Sequence, residues 1–245
     1  MRNENVLESI AEALKIKNGD SVIEIGPGHG ELTRFLIGRG AMVFAIEKDK
    51  DLVTKIRSSD IGQKIKLIDG DALRSIPKIT ETPPLSVVDY KIVGNIPYYI
   101  TGHLMRIIGE LKHKPSETVL LIQKEVAQRI CSQAPNSSLL SLSVGFWSNP
   151  KIISNVPRED FLPPPKVDSA VIKMDTKKEI LEICSEKYYE FIKKAFKQPR
   201  KTLLNNLISS GLSREDSLNI IKSLGLGVNS RPQELECSKI TAILC

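Results

Sequence analysis

In the stretch EIGPGHGEL, Gly26, Gly28 and Gly30 follow an apolar run at every second position. Glycine takes up positive φ at little steric cost and lets a backbone pass close to a ligand. A dinucleotide fingerprint would put its third glycine where Glu31 stands, and no Gly-Lys-Ser/Thr follows, so neither a nicotinamide dinucleotide nor Walker-type chemistry is expected. By itself the loop reads equally as a tight strand-to-helix turn. Two acids raise the odds of a ligand. Glu47 ends the run FAIE, where a carboxylate can accept hydrogen bonds from both hydroxyls of a ribose. Asp71, after KLIDG, could accept from an adenine amino group. Each acid alone is more often a solvated loop residue. A glycine loop and two acids on consecutive strands, in order, is a much rarer coincidence. Glu24, ending the first strand, faces the same crevice and either bonds the loop or meets an amino group of the ligand.

A second chemical cluster is VGNIPYYI, Val93–Ile100. Pro97 has no N–H for a sheet ladder, so a strand must stop beside it, with Asn95 at its end and Tyr98 and Tyr99 following. Asn95 could cap the helix expected at TGHLMRII, but Thr101 is better placed for that, which frees the amide. Tyr99 is expected to pack. A third cluster, FLPPPKVDS, sets Phe161 before three prolines. These stiffen an extended segment that suits either a shelf for an aromatic base or a core Phe on a linker.

Elements must hold these residues along one edge. Helical spacing in NENVLESIAEALKI is followed by strands at SVIEIG, AMVFAIEKD, KIKLIDGD and DYKIVGNIP, with helices at ELTRFLIGRG, KDLVTKIRSSD and GHLMRIIGELK. TVLLIQKEVAQRI begins as a strand and turns helical near Lys124. Alternating strands and helices predict a doubly wound α/β fold with a mostly parallel sheet, whose ligands bind outside the carboxyl ends of its strands. From Glu179 onward helical segments dominate, with Gly211 and Gly225 as stops. The expected division is a domain over 1–176 and a small C-terminal helical domain over 177–245.

The bulk properties are permissive. Of 245 residues, 41% are hydrophobic and 26% charged, enough for a core and against global disorder, while the net charge of +6 mildly favours polyanionic partners. Cys131, Cys184, Cys237 and Cys245 are widely spaced and histidines are few, so neither zinc nor a disulfide framework is expected. No apolar signal core or membrane span is visible, which predicts a soluble, cytoplasmic protein.

VIEIGPGHGELT, AIEKD, DGDAL, VGNIPYYI, QKEVAQRI, FLPPPKVDSAVI and KQPRKTLLNNL stand in the order seen in S-adenosylmethionine-dependent rRNA adenine N6,N6-dimethyltransferases. The chain resembles their small-subunit (KsgA-type) branch over nearly its whole length. The glycine loop is shared by many methyltransferases; the other motifs together are far more specific. The resemblance implies a Rossmann-like methyltransferase domain and S-adenosyl-L-methionine as cofactor. Glu24 and Gly26–Gly30 would hold its methionine half, Glu47 the ribose and Asp71 the adenine amino group, with Lys48, Gly70 and Ala72 flanking the acids. Asn95, Ile96, Pro97 and Tyr98 would form the catalytic loop, Asn95 also touching the cofactor, and Phe161 would stack on the target base. Lys197, Arg200 and Lys201, at a helix junction, would meet RNA phosphates. The partner implied is small-subunit rRNA in a pre-30S-type subunit, without a membrane, the protein acting as a monomer. Two departures stand out: the chain begins at about the end of the family's Gly-Gln-Asn-Phe-Leu segment, and the family's Gly-Tyr-Gly-type loop reads APNSSLLSLSV here. The competing expectations are a large-subunit rRNA adenine methylase of the resistance type and a non-catalytic assembly or transcription factor on the same fold.

Overall fold

Four apolar runs become the centre of the sheet. The strands β1 (Ser21–Ile25), β2 (Met42–Glu47), β3 (Lys66–Asp69), β4 (Tyr90–Asn95) and β5 (Glu117–Gln123) are mutually parallel, and β7 (Ser169–Thr176) runs antiparallel to β5. With β6 (Ser148–Val156) the strand order is β3-β2-β1-β4-β5-β7-β6. This computed structural model describes residues 4–161, 163–178 and 185–244, and of Glu4 and Tyr98 the backbone alone.

Both faces of the sheet are covered. Val22, Val43, Val93 and Val119 pack under α1 (Glu4–Ala13) and α2 (Glu31–Gly38), while the alternating Ile23, Ile46, Ile92 and Leu120 are equally buried. That is why these strands read as continuous apolar runs rather than as period-two patterns. α3 (Lys50–Arg57) packs on β2 and β3. The helix α4 (Ala72–Thr80) packs on α5 (Thr101–Glu110). The sequence reading places no helix between β3 and β4. α4 forms there around an internal Pro77 because Asp71 caps its start and Ala72, Ile76 and Thr80 share one buried face.

α1 is fastened from the amino edge of the sheet. Lys91 donates to the carbonyls of Leu14 and Lys15 at 2.7 and 3.1 Å, and Lys173 to that of Ala13 at 2.7 Å. Cations at a helix C-terminus are favourable, and these two are matched by Asp20, Glu117 and Asp175. The far turns of α1 are thereby held as a wall at the carboxyl edge.

The chain divides into two compact units: Met1–Ala127 with Asn149–Thr176, and Gln128–Ser148 with Lys177–Cys245. In this division Gln128–Ser148 groups with the helical unit and Asn149–Thr176 with the sheet. The cause is local packing. Phe146 on α7 (Leu139–Trp147) stacks on Tyr188 of α8 (Ser185–Ala195) with centroids 4.4 Å apart, and the Tyr188 hydroxyl donates to the Leu142 carbonyl at 3.0 Å. The change from β5 to α6 (Lys124–Ile130) falls at Lys124 as expected, and the unit boundary lies inside α6. The helical unit is completed by α9 (Leu203–Ser209), α10 (Arg214–Ser223) and α11 (Cys237–Leu244), with Gly211 and Gly225 at positive φ as the expected stops. Expectations for 179–184 and for Cys184 and Cys245 lie outside the described residues. Among those described, no group of three or more His, Cys, Asp or Glu could hold a metal ion, and no helix is long and apolar enough to cross a membrane.

Candidate active site

Parallel registry brings the chemical residues to one edge. Ile25 pairs with Gly94, Glu47 with Asp69 and Asn95 with Leu121, so the carboxyl ends of β1 to β5 lie side by side. The sheet order reverses between β1 and β4, the position where open α/β sheets bind ligands.

The glycine loop needs its glycines. Gly26, Gly28 and Gly30 have φ of +66, +61 and +84°, a region that side chains rarely adopt. Glu47 shapes the loop as well as facing it: its Oε1 accepts the N–H groups of Lys48 and Asp49 at 2.8 and 2.9 Å, and Oε2 accepts that of Gly28 at 3.3 Å. A carboxylate oxygen has two lone pairs, so Oε1 is full and the remaining capacity is at Oε2. The expectation that Glu47 takes both hydroxyls of a ribose therefore narrows to one direct acceptor.

Behind the loop, Glu24 is 1% exposed and accepts the Thr33 hydroxyl at 2.8 Å through Oε2. Burial pushes its pKa up to about 7, against the opposing Thr33 bond and with the negative charges of Glu31 and Glu47 adding to the rise. Its carboxyl borders a cavity of about 140 Å³ together with Gly26, Gly28, His29 and Asn95, closed by Leu7 and Ile10 of α1. A buried acid with room beside it fits a ligand that brings a positive charge. On the outer side, Asp71 caps α4 by accepting the Leu73 N–H at 2.9 Å and pairs with Lys48 at 2.9 Å. The Lys48 ammonium holds the Asp71 carboxyl below the usual range. Gly70 bonds the Glu47 carbonyl at 2.8 Å, and the buried Ala72 opens α4. Asp71 keeps lone pairs for a further donor.

Asn95 borders a second cavity too, of about 270 Å³, with Ile96, Pro97, Phe161, Pro163 and Pro165. Ile96 is buried and its N–H donates to the Leu121 carbonyl at 3.0 Å, which carries the sheet ladder one residue past β4. Pro97 then ends it, and a 3₁₀ turn over Tyr98–Ile100 leads into α5. Apart from the Asn95 amide the lining side chains are apolar, a combination suited to an aromatic ring bearing an amino group.

A family model described as ribosomal RNA adenine dimethylase matches residues 1–241. The chain belongs to the ribosomal RNA adenine dimethylase family. A relative from Dehalococcoides mccartyi (strain CBDB1), named ribosomal RNA small subunit methyltransferase A, is 38% identical over 95% of this chain and 80% of its own. The fold matches that of a dimethyladenosine transferase from Plasmodium falciparum with a TM-score of 0.82 at 24% identity, over 100% of this chain and 95% of that one. It matches a 23S rRNA methyltransferase, ErmE, with a TM-score of 0.75 at 25% identity, over 100% and 98%.

In this rRNA adenine dimethylase, sheet registry gathers the residues picked out from Glu24 to Asn95, and the Phe161 segment joins them at the second cavity. Phe161 lines the cavity and also packs, half-buried, against the core under α1 and α2. Tyr98 as a base platform lies outside what is described of its side chain. Two expectations are corrected. Tyr99 does not pack: it is 81% exposed. Thr101 does not cap α5: it lies inside the first turn, buried, with no hydrogen-bond partner for its hydroxyl among the described residues. The 3₁₀ turn delivers the chain to the helix without a side-chain cap. In the helical unit Arg200 and Lys201 are exposed, whereas the Lys197 ammonium donates to the Ser209 carbonyl at 2.7 Å and so also closes α9.

Sequence reasoning missed two contributors. Leu7 and Ile10 form cavity wall, although their periodicity signalled only a helix. Asp168 ties the Phe161 segment at both ends: its carboxylate accepts the Arg158 N–H at 3.2 Å and its carbonyl accepts the Lys124 N–H at 3.0 Å. The motif FLPPPKVDS contains Asp168, but nothing local marks which backbone groups it would find.

Proposed function

We propose that this protein transfers methyl groups from S-adenosyl-L-methionine to N6 of adenines in small-subunit rRNA, giving N6,N6-dimethyladenine at two adjacent adenines of a terminal hairpin loop. It does so in the cytoplasm, as a monomer, on a precursor of the small ribosomal subunit. The observation that carries this reading is that Asn95 borders both cavities, the one beside Glu24 and the one beside Phe161. Small-subunit substrate choice is supported by the name of the Dehalococcoides relative.

The cofactor, when bound, supplies a methyl group made electrophilic by its sulfonium. Glu24 would meet the ammonium of the methionine half, Glu47 Oε2 a ribose hydroxyl and Asp71 the adenine amino group. The target adenine enters the slot between Pro97 and Phe161, extruded from its stack as base-modifying enzymes require. Its N6 lone pair is delocalised into the ring, so orientation matters more than a strong base. The Asn95 amide oxygen and the Ile96 carbonyl each accept one N6–H, which favours a pyramidal nitrogen with its lone pair turned toward the first cavity. Holding the reacting atoms about 3–3.5 Å apart supplies much of the rate. The proton released after transfer leaves through these acceptors to water, and a second transfer follows the same geometry with one N6–H replaced by methyl. Arg200 and Lys201, with Lys197, would meet phosphates of the RNA.

The test is transfer of labelled methyl groups to unmodified small subunits, with mapping of the methylated nucleotides in both rRNAs. Dimethyladenine confined to the small-subunit RNA is expected. Methylation confined to the large-subunit RNA would favour the resistance-type reading, which the likeness to ErmE keeps in view. Calorimetry showing no cofactor binding would favour a non-catalytic factor.

A further inference from the structure

Tyr99 presents a ring that neither cavity uses and no core contains. It is 81% exposed, on a turn closed by the Ile100 N–H to the Pro97 carbonyl at 3.1 Å. An aromatic ring left in water beside a cavity that suits a base has its face available for stacking. An exposed cation lies on the same edge of the sheet: Lys48, which follows the carboxyl end of β2, has a side chain 67% exposed, and its pairing with Asp71 is open to solvent and easily exchanged. An exposed ring and an exposed cation on one sheet edge are what single-stranded nucleic acid takes, the ring stacking on a base and the cation meeting the backbone.

We propose that Tyr99 is a stacking platform for the base next to the target adenine. This rests on the function proposed above. The slot for the target is lined by Asn95, Ile96, Pro97, Phe161, Pro163 and Pro165, and Tyr99 stands just beyond it in the chain. Nor does Tyr99 border the cavity of the glycine loop. A nucleotide whose neighbour occupies the slot must leave its own stack, and Tyr99 gives it a replacement face. Of two adjacent adenines, one is then held at the entrance while the other reacts. Stacking strength grows with ring size, so the platform favours a purine at that position.

The experiment uses the full chain and an RNA hairpin with two adjacent loop adenines, the one beside the methylated position replaced by fluorescent 2-aminopurine. Binding of wild-type protein should change the 2-aminopurine emission. Tyr99→Ala should abolish that change and raise the KM for RNA on the order of tenfold, while Tyr99→Phe keeps both near wild type. The dissociation constant for S-adenosylmethionine should be the same in all three. A KM for Tyr99→Ala equal to wild type overturns the platform, and so does a weakened cofactor affinity, which would put the ring against the cofactor instead. Wild-type protein that methylates neither the hairpin nor intact small subunits would remove the functional reading itself, whereas active wild type with unmoved variants removes only the platform.

Discussion

Asn95 owes its position to a conflict between strand and proline. The ladder runs one residue past β4 through Ile96, then Pro97 stops it, leaving an amide side chain at the junction of two cavities. Asn95→Ala should lower methyl transfer by about 100-fold, the usual cost of losing a positioned polar partner of the reacting group, with little change in cofactor affinity by calorimetry. Collapse of cofactor binding would instead make Asn95 a cofactor residue. Glu24 makes a separate claim. Its pKa is raised from 4.5 to about 7, so the folded state binds more protons than the unfolded one between those values. The stability it contributes is complete below pH 4.5 and is lost as pH rises through 7. The loss amounts to up to about 3 kcal/mol and should vanish in Glu24→Gln, as read by denaturant melts of the cofactor-free protein across that range. A ligand ammonium beside the carboxyl reverses the shift, so cofactor binding near neutral pH should release a fraction of a proton. Calorimetry in buffers of different ionisation heat checks this, and the same release in Glu24→Gln would refute it.

The Phe161 segment behaves as a stapled loop. Three prolines stiffen it, and Asp168 fastens both ends, one of them to Lys124 at the carboxyl end of β5, beside the strand that carries Asn95. The two walls of the second cavity are thus tied by one series of hydrogen bonds, through the Asp168 carboxylate on one side and its carbonyl on the other. Asp168→Ala should raise the KM for RNA roughly 3- to 10-fold, about the value of one hydrogen bond, with kcat much less affected and cofactor affinity unchanged. Asp168→Asn, whose amide oxygen can still accept the Arg158 N–H, should recover most of that. Equal defects in both variants would point to charge rather than to the staple. The elements themselves were legible to different degrees. β1 to β5 and the helices after β1, β2 and β4 follow from apolar runs punctuated by glycine and polar caps. α4 was not read from the sequence, because what holds it together around Pro77 is the burial of its Ala72, Ile76 and Thr80 face, which only the tertiary packing supplies. Glu47 was recognised as a ligand residue, yet its bonds to Gly28, Lys48 and Asp49 depend on how the glycine loop folds back over β2.

Across the whole molecule, the charge of +6 is a modest electrostatic bias rather than a binding site. Arg200 and Lys201 are exposed at a junction that Asn206 braces, bonding Gln198 through its N–H at 2.6 Å and its carbonyl at 3.0 Å. Replacing both cations with alanine should weaken RNA binding and flatten the dependence of log K on log salt by about 1–2. An unchanged slope would return them to the solvated surface. The alternation of strand and helix, the glycine turns and the acids at strand ends are local patterns. Parallel connectivity converts them into a common carboxyl edge with almost no freedom, so the family and the parallel part of the sheet could be read from residues alone. The exposure of Tyr99, the burial of Thr101, the antiparallel entry of β7 beside β5 and the grouping of Gln128–Ser148 with the helical unit could not. Each depends on which distant segment packs against a residue, and no window of sequence around that residue contains its partner.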